Sequence, residues 1–136
     1  MSTSHEPELI LAFVDRAHRD RYLSLLANPR KRGTILRRLA HGGDLDTRFI
    51  HRVPDADQTP ERIERMLVSR DAPERCFVVS ENAALDGREL PLGEALRAVV
   101  GYGQGTLISC VPGRLAYYEA EESGERYILE RREGSR

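Results

Sequence analysis

Residues 101–132 read GYGQGTLISCVPGRLAYYEAEESGERYILERR. Three stretches in it, at about 106–111, 114–119 and 126–131, are rich in β-branched, aromatic and other apolar residues. Pro112-Gly113 and Ser123-Gly124 separate them, and such dipeptides turn a chain tightly. The segment predicts an antiparallel meander of three strands.

The residues just upstream extend this unit. Leu92, Ala95, Leu96, Val99 and Val100 recur at helical spacing, and Gly101 stops the pattern. Cys76-Phe77-Val78-Val79 is a continuous apolar run, as in a strand covered on both faces. Residues 82–87 form a turn region, with Asp86-Gly87 as its clearest signal. The order over about 75–132 is therefore β-α-β-β-β.

The first half reads as helical. Ile10, Phe13, Val14, Ala17, Leu25 and Leu26 suggest one amphipathic helix over about 8–26. Asn28-Pro29 suits the start of a second, over about 29–41, stopped by Gly42-Gly43. A short element is expected around 47–52, with Phe49 and Ile50 as its apolar contribution. Thr59-Pro60-Glu61 opens a third helix, over about 60–71, which must end before Pro73. The expectation is a single α+β domain over 1–136. Its helical part, about 8–72, packs on one face of a mostly antiparallel sheet.

Composition narrows the function classes. At 136 residues, 32% charged and 40% apolar, the chain fits an ordinary globular protein that can bury a core. No apolar run reaches the roughly 20 residues of a membrane span, and the N-terminus has no secretory pattern. A cytoplasmic protein without a membrane partner is expected. Cys76 and Cys110 read as buried thiols. No metal site or cofactor is expected, because no histidines stand at ligand spacing from these cysteines.

Charge is distributed unevenly. Residues 16–52 carry ten Arg or Lys against three Asp, whereas 119–125 carry four Glu and no basic residue. A basic end and an acidic end are expected. In the second helix Arg30, Lys31, Arg37, Arg38 and His41 fall on one face, opposite Ile35, Leu36 and Leu39. Such a face can meet phosphates or an acidic protein surface. No helix-turn-helix, zinc-finger or RNA-recognition aromatic pattern accompanies it.

Other residues are candidates for chemistry. Ser80-Glu81-Asn82 ends the apolar strand, where a sheet can fix a general base beside a loop. Ser109 and Arg114 belong to the neighbouring strands and can share that rim, with His41 or His51 as a proton carrier. Cys110 would need such a base to act as a nucleophile. Glu119 and Glu121 have the spacing of one sheet face but read as a solvated acidic tip. The glycines at 101, 103 and 105 follow a helix, whereas phosphate loops precede one, so they read as a connector. The last strand reads as a sheet edge able to pair with a second copy, although Glu125, Arg126, Arg131 and Arg132 oppose this.

The sequence thus favours a small binding or accessory protein. Its basic helical surface would contact nucleic acid or an acidic protein. The alternative is a small enzyme working at the sheet rim.

Overall fold

The computed structural model describes residues 5–131. Among them the chain forms five α-helices and six strands. The helices are α1 (His5–Phe13), α2 (Arg19–Leu26), α3 (Arg32–Leu39), α4 (Pro60–Val68) and α5 (Leu92–Val99). The strands are β1 (Ile50–Arg52), β2 (Arg75–Ser80), β3 (Glu89–Pro91), β4 (Thr106–Val111), β5 (Leu115–Glu119) and β6 (Arg126–Glu130). All pair antiparallel, in the order β1-β6-β5-β4-β2-β3. The fold is α+β. No helix among the described residues is long and apolar enough to cross a membrane.

The meander forms as its turns dictate. Gly113 and Gly124 take positive φ values of 71° and 82°, a region that suits glycine. The sheet is wider than the strand-rich segment suggested. β3 pairs with β2 although it contains Pro91, which is tolerated because β3 is an edge. β1 pairs with β6, so the last strand is not an edge. Arg132, one of its expected guards, lies outside the described residues.

Helices cover both faces, not one. Residues 106–110 and 115–120 are buried without interruption. Successive side chains on a strand point to opposite faces. Val79, Leu107, Tyr118 and Leu129 therefore meet α1, α2 and α3 in one core. Val78, Ile108, Tyr117 and Ile128 meet α4 and α5 in another. Each large apolar side chain so buried contributes about 1.5–3 kcal/mol.

The expected 8–26 helix is two helices. At its middle the backbone pairs with another segment. Asp15 N–H donates to Asp44 C=O at 2.6 Å, and Asp46 N–H donates to Phe13 C=O at 2.8 Å. Val14 forms a bridge to Leu45. The second helix starts at Arg32 because Asn28 builds a turn first. Its side chain accepts from Arg30 N–H at 3.0 Å, and its carbonyl accepts from the amides of Lys31 and Arg32. The start of α4 is as expected: Thr59 Oγ1 accepts from Arg62 N–H at 3.2 Å, with Pro60 in the first turn.

Arg32 ties the helical layer to the sheet. Its guanidinium meets Glu6 at 2.7 Å and Asp86 at 2.6 Å, and also donates to Leu26 C=O. Asp86 in turn accepts from Ser80 N–H at 3.0 Å. The hydrogen bond to Asp86 is the main reason the Arg32 guanidinium holds its proton even more firmly than usual, against a desolvation penalty.

Candidate functional site

The basic surface resolves residue by residue. Arg30, Lys31, Arg37, Arg38 and His41 are all exposed, because α3 turns Ile35, Leu36 and Leu39 into the core. They are not equally available. The side chains of Arg30 and Lys31 have no partner among the described residues, and Arg37 reaches only Thr34 Oγ1, at 3.5 Å. Arg38 is committed: its Nε meets Asp44 at 2.6 Å. His41 lies 3.2 Å from Glu121.

Asp44 explains the commitment of Arg38. It is 5% exposed and accepts from Tyr22 Oη at 2.7 Å as well as from Arg38. Burial alone would raise its carboxyl, but the hydrogen bonds from Arg38 and Tyr22, with the nearby charges, outweigh it and hold the group below its ordinary range. Burial first, and then Asp44, pushes the Tyr22 hydroxyl upward. Arg38 thus supports the fold as well as the surface.

A groove of about 530 Å³ opens between α2 and α3. Half-buried Leu25 and buried Ile35 line its floor, and Arg21, Arg37, Arg38 and His41 line its rim. Arg21 comes from the neighbouring helix, a juxtaposition that a wheel drawn for one helix does not contain. The site can take a partner with apolar side chains framed by acidic groups.

The acidic segment is not a separate end of the molecule. Glu121 pairs with His41, and Glu125 lies 3.7 Å from Arg52. Glu119 is fully buried, not part of a solvated tip. Its carboxylate accepts from Tyr117 Oη at 2.8 Å, Arg126 Nε at 3.1 Å, and the amides of Gly101 and Gly103. Arg126 also donates to Gln58 at 2.6 Å. The glycine-rich loop therefore does cradle an anion, and that anion is the chain's own glutamate.

The rim candidates are spread apart. Ser80 Oγ and Thr106 Oγ1 are 2.8 Å apart, and Asn82 N–H donates to Ser80 Oγ. Glu81 accepts from Gly105 N–H at 2.6 Å, and Asn82 Nδ2 donates to Gln104 Oε1 at 3.0 Å. These groups hold two loops together. Ser109 lies further along β4, opposite Phe77, and Arg114 sits beyond the far end of that strand. Ser80, Glu81, Asn82 and Ser109 line neither this groove nor the cavities that hold Arg114 and Arg97.

Ser109 has a partner that no local pattern signals. His5 Nδ1 lies 2.8 Å from Ser109 Oγ, and the imidazole stacks on Phe77 at 5.7 Å between ring centroids. His5 is 104 residues away in sequence and precedes the expected first helix. Ser109 is 0% exposed, so the contact pins α1 to the sheet. His41 and His51, the expected proton carriers, are exposed elsewhere.

Cys76 and Cys110 are both free and buried in the core shared by α4 and α5. Burial pushes the Cys76 thiol up to about 12 and raises Cys110 as well. A nucleophilic cysteine needs the opposite shift. Among the described residues, no group of three His, Cys, Asp or Glu could hold a metal ion. Comparison of the chain with protein families, curated proteins and solved structures found no match.

Proposed function

We propose that this chain is a small cytoplasmic binding or accessory protein whose α2–α3 groove docks an acidic protein segment. The groove carries the reading: half-buried Leu25 between the exposed Arg21 and Arg37 suits a partner that combines apolar and acidic side chains. An acidic protein segment is favoured over nucleic acid for two reasons. The groove includes half-buried Leu25, an apolar side chain, and Tyr117 and Tyr118 are fully buried, so neither can stack on a base.

Fluorescence anisotropy with a labelled, leucine-containing acidic peptide tests the reading, with generic RNA and DNA measured in the same salt series. The peptide is expected to bind at about 50 mM salt and to weaken as salt rises. Arg21→Glu/Arg37→Glu is expected to weaken it at least about fivefold, without loss of fold, because both side chains are exposed. Arg38 is left intact, since its loss would strand Asp44. Tighter binding of RNA or DNA, lost in the same variant, would reassign the partner to nucleic acid. No binding of any probe at low salt rejects the groove.

A further inference from the structure

A second cavity, of about 560 Å³, lies where the β4–β5 turn, the end of α4 and the end of β6 meet. Its size falls within the roughly 300–1,000 Å³ of small-molecule sites. Arg70, Arg114 and Arg131 all line it. Two of them are held in place. Arg70 bonds Glu130 at 3.2 Å and Met66 C=O at 3.0 Å, and Arg131 reaches Ala12 C=O while lying 4.7 Å from the centre of the Phe49 ring. Arg114 is exposed, and its guanidinium has no partner among the described residues.

Asp71 lines the same cavity. Among the described residues it is the non-glycine one with positive φ, at 71°. The amides of Asp71 and Ala72 donate to the carbonyls of Val68 and Leu67, which closes α4 in a motif whose left-handed position normally holds glycine. The Asp71 carboxylate has no partner among the described residues. A free guanidinium and a free carboxylate thus share one cavity without pairing with each other.

We infer that this cavity binds a small phosphate monoester that carries a hydroxyl group. Guanidinium forks match phosphate oxygens. Glu130 offsets Arg70, so Arg114 and Arg131 face the phosphate, and with the Asp71 carboxylate the lining keeps one net positive charge. Asp71 accepts the hydroxyl. The site is separate from the α2–α3 groove, so the two readings stand or fall independently.

Glycerol 3-phosphate and inorganic phosphate are the probes, followed by calorimetry and thermal melting, with sodium chloride at matched ionic strength as the control. Glycerol 3-phosphate is expected to raise the melting temperature beyond the salt control and to bind tighter than inorganic phosphate. Arg114→Gln is expected to weaken both at least about tenfold. Asp71→Asn is expected to erase only the preference for the hydroxylated probe. Arg97→Gln, in the separate cavity between α4 and α5, should change neither. Should Arg114→Gln alter the unliganded far-UV spectrum, Arg114→Lys serves instead, keeping the charge without the fork and binding more weakly. A melting shift reproduced by sodium chloride, or affinity retained without Arg114, overturns the proposal.

Discussion

Glu119 and Gly105 show how single residues here take roles opposite to their ordinary ones. A glutamate in an acidic run is normally solvated. This one is buried because β5 carries it inward beside Tyr117, and Arg126 stands directly across the strand pair to neutralise it. Gly105 looks like a flexible spacer, yet a Cβ built there would come within 2.5 Å of the Ala40 Cβ and 2.6 Å of its Cα. The backbone just before β4 therefore approaches the residue that ends α3 more closely than any side chain permits. Gly105→Ala is expected to destabilise the protein by about 1–3 kcal/mol, because it overpacks a contact made partly of backbone. A lower urea midpoint with an unchanged slope would show it. Equal stability would mean that α3 can withdraw freely.

Elements obey local signals until another segment offers their backbone a better partner. α4 starts as its signals dictate, at Thr59-Pro60, and ends at Val68, where Asp71 closes it before Pro73 is reached. The 8–26 stretch does not follow its signals, because residues 13–15 hydrogen-bond to 44–46, and nothing local to the sequence announces that pairing. The docking of α1 carries a pH signature. His5 titrates below its ordinary 6.5, chiefly because burial disfavours the charged ring, with Glu89 and Glu8 opposing in part. Above 6.5 the imidazole is neutral in both states and the contact with Ser109 is complete. As the pH falls from there through the folded value, the unfolded chain takes up the proton first and stability drops. Urea melts between about pH 7.5 and 5 should record this loss. His5→Gln, which keeps a hydrogen-bonding side chain without the titration, should flatten that component. An unchanged profile would detach the effect from His5.

At the scale of the whole molecule, the arrangement of layers decides what is exposed. The sheet presents β1 and β3 as its edges, each three residues long, and β3 ends in Pro91. Short, proline-bearing edges resist pairing with another chain. Light scattering on the purified protein is therefore expected to report a monomer; a dimer would have to form through a helical face. The layers also bring opposite charges together. The basic segment and the glutamates at 121 and 125 are neighbours, so the molecule lacks the two separate charged ends that their distance along the chain suggests.

Much of this was legible in the residues alone. Apolar periodicity, turn dipeptides and helix caps determined the α+β class, the meander and the exposure of Arg37 and Arg38 on α3 with Arg30, Lys31 and His41 at its ends, because these depend on contacts within a few residues. The tertiary structure alone decided the rest. It brought Arg21 and Arg37 to one groove and His5 beside Ser109, wrapped the glycine loop around Glu119, and left Arg114 open while closing Arg38 onto Asp44. Each of these depends on strand order and on which helix covers which face. Those are set by long-range burial, which hydrophobic spacing along the chain does not encode.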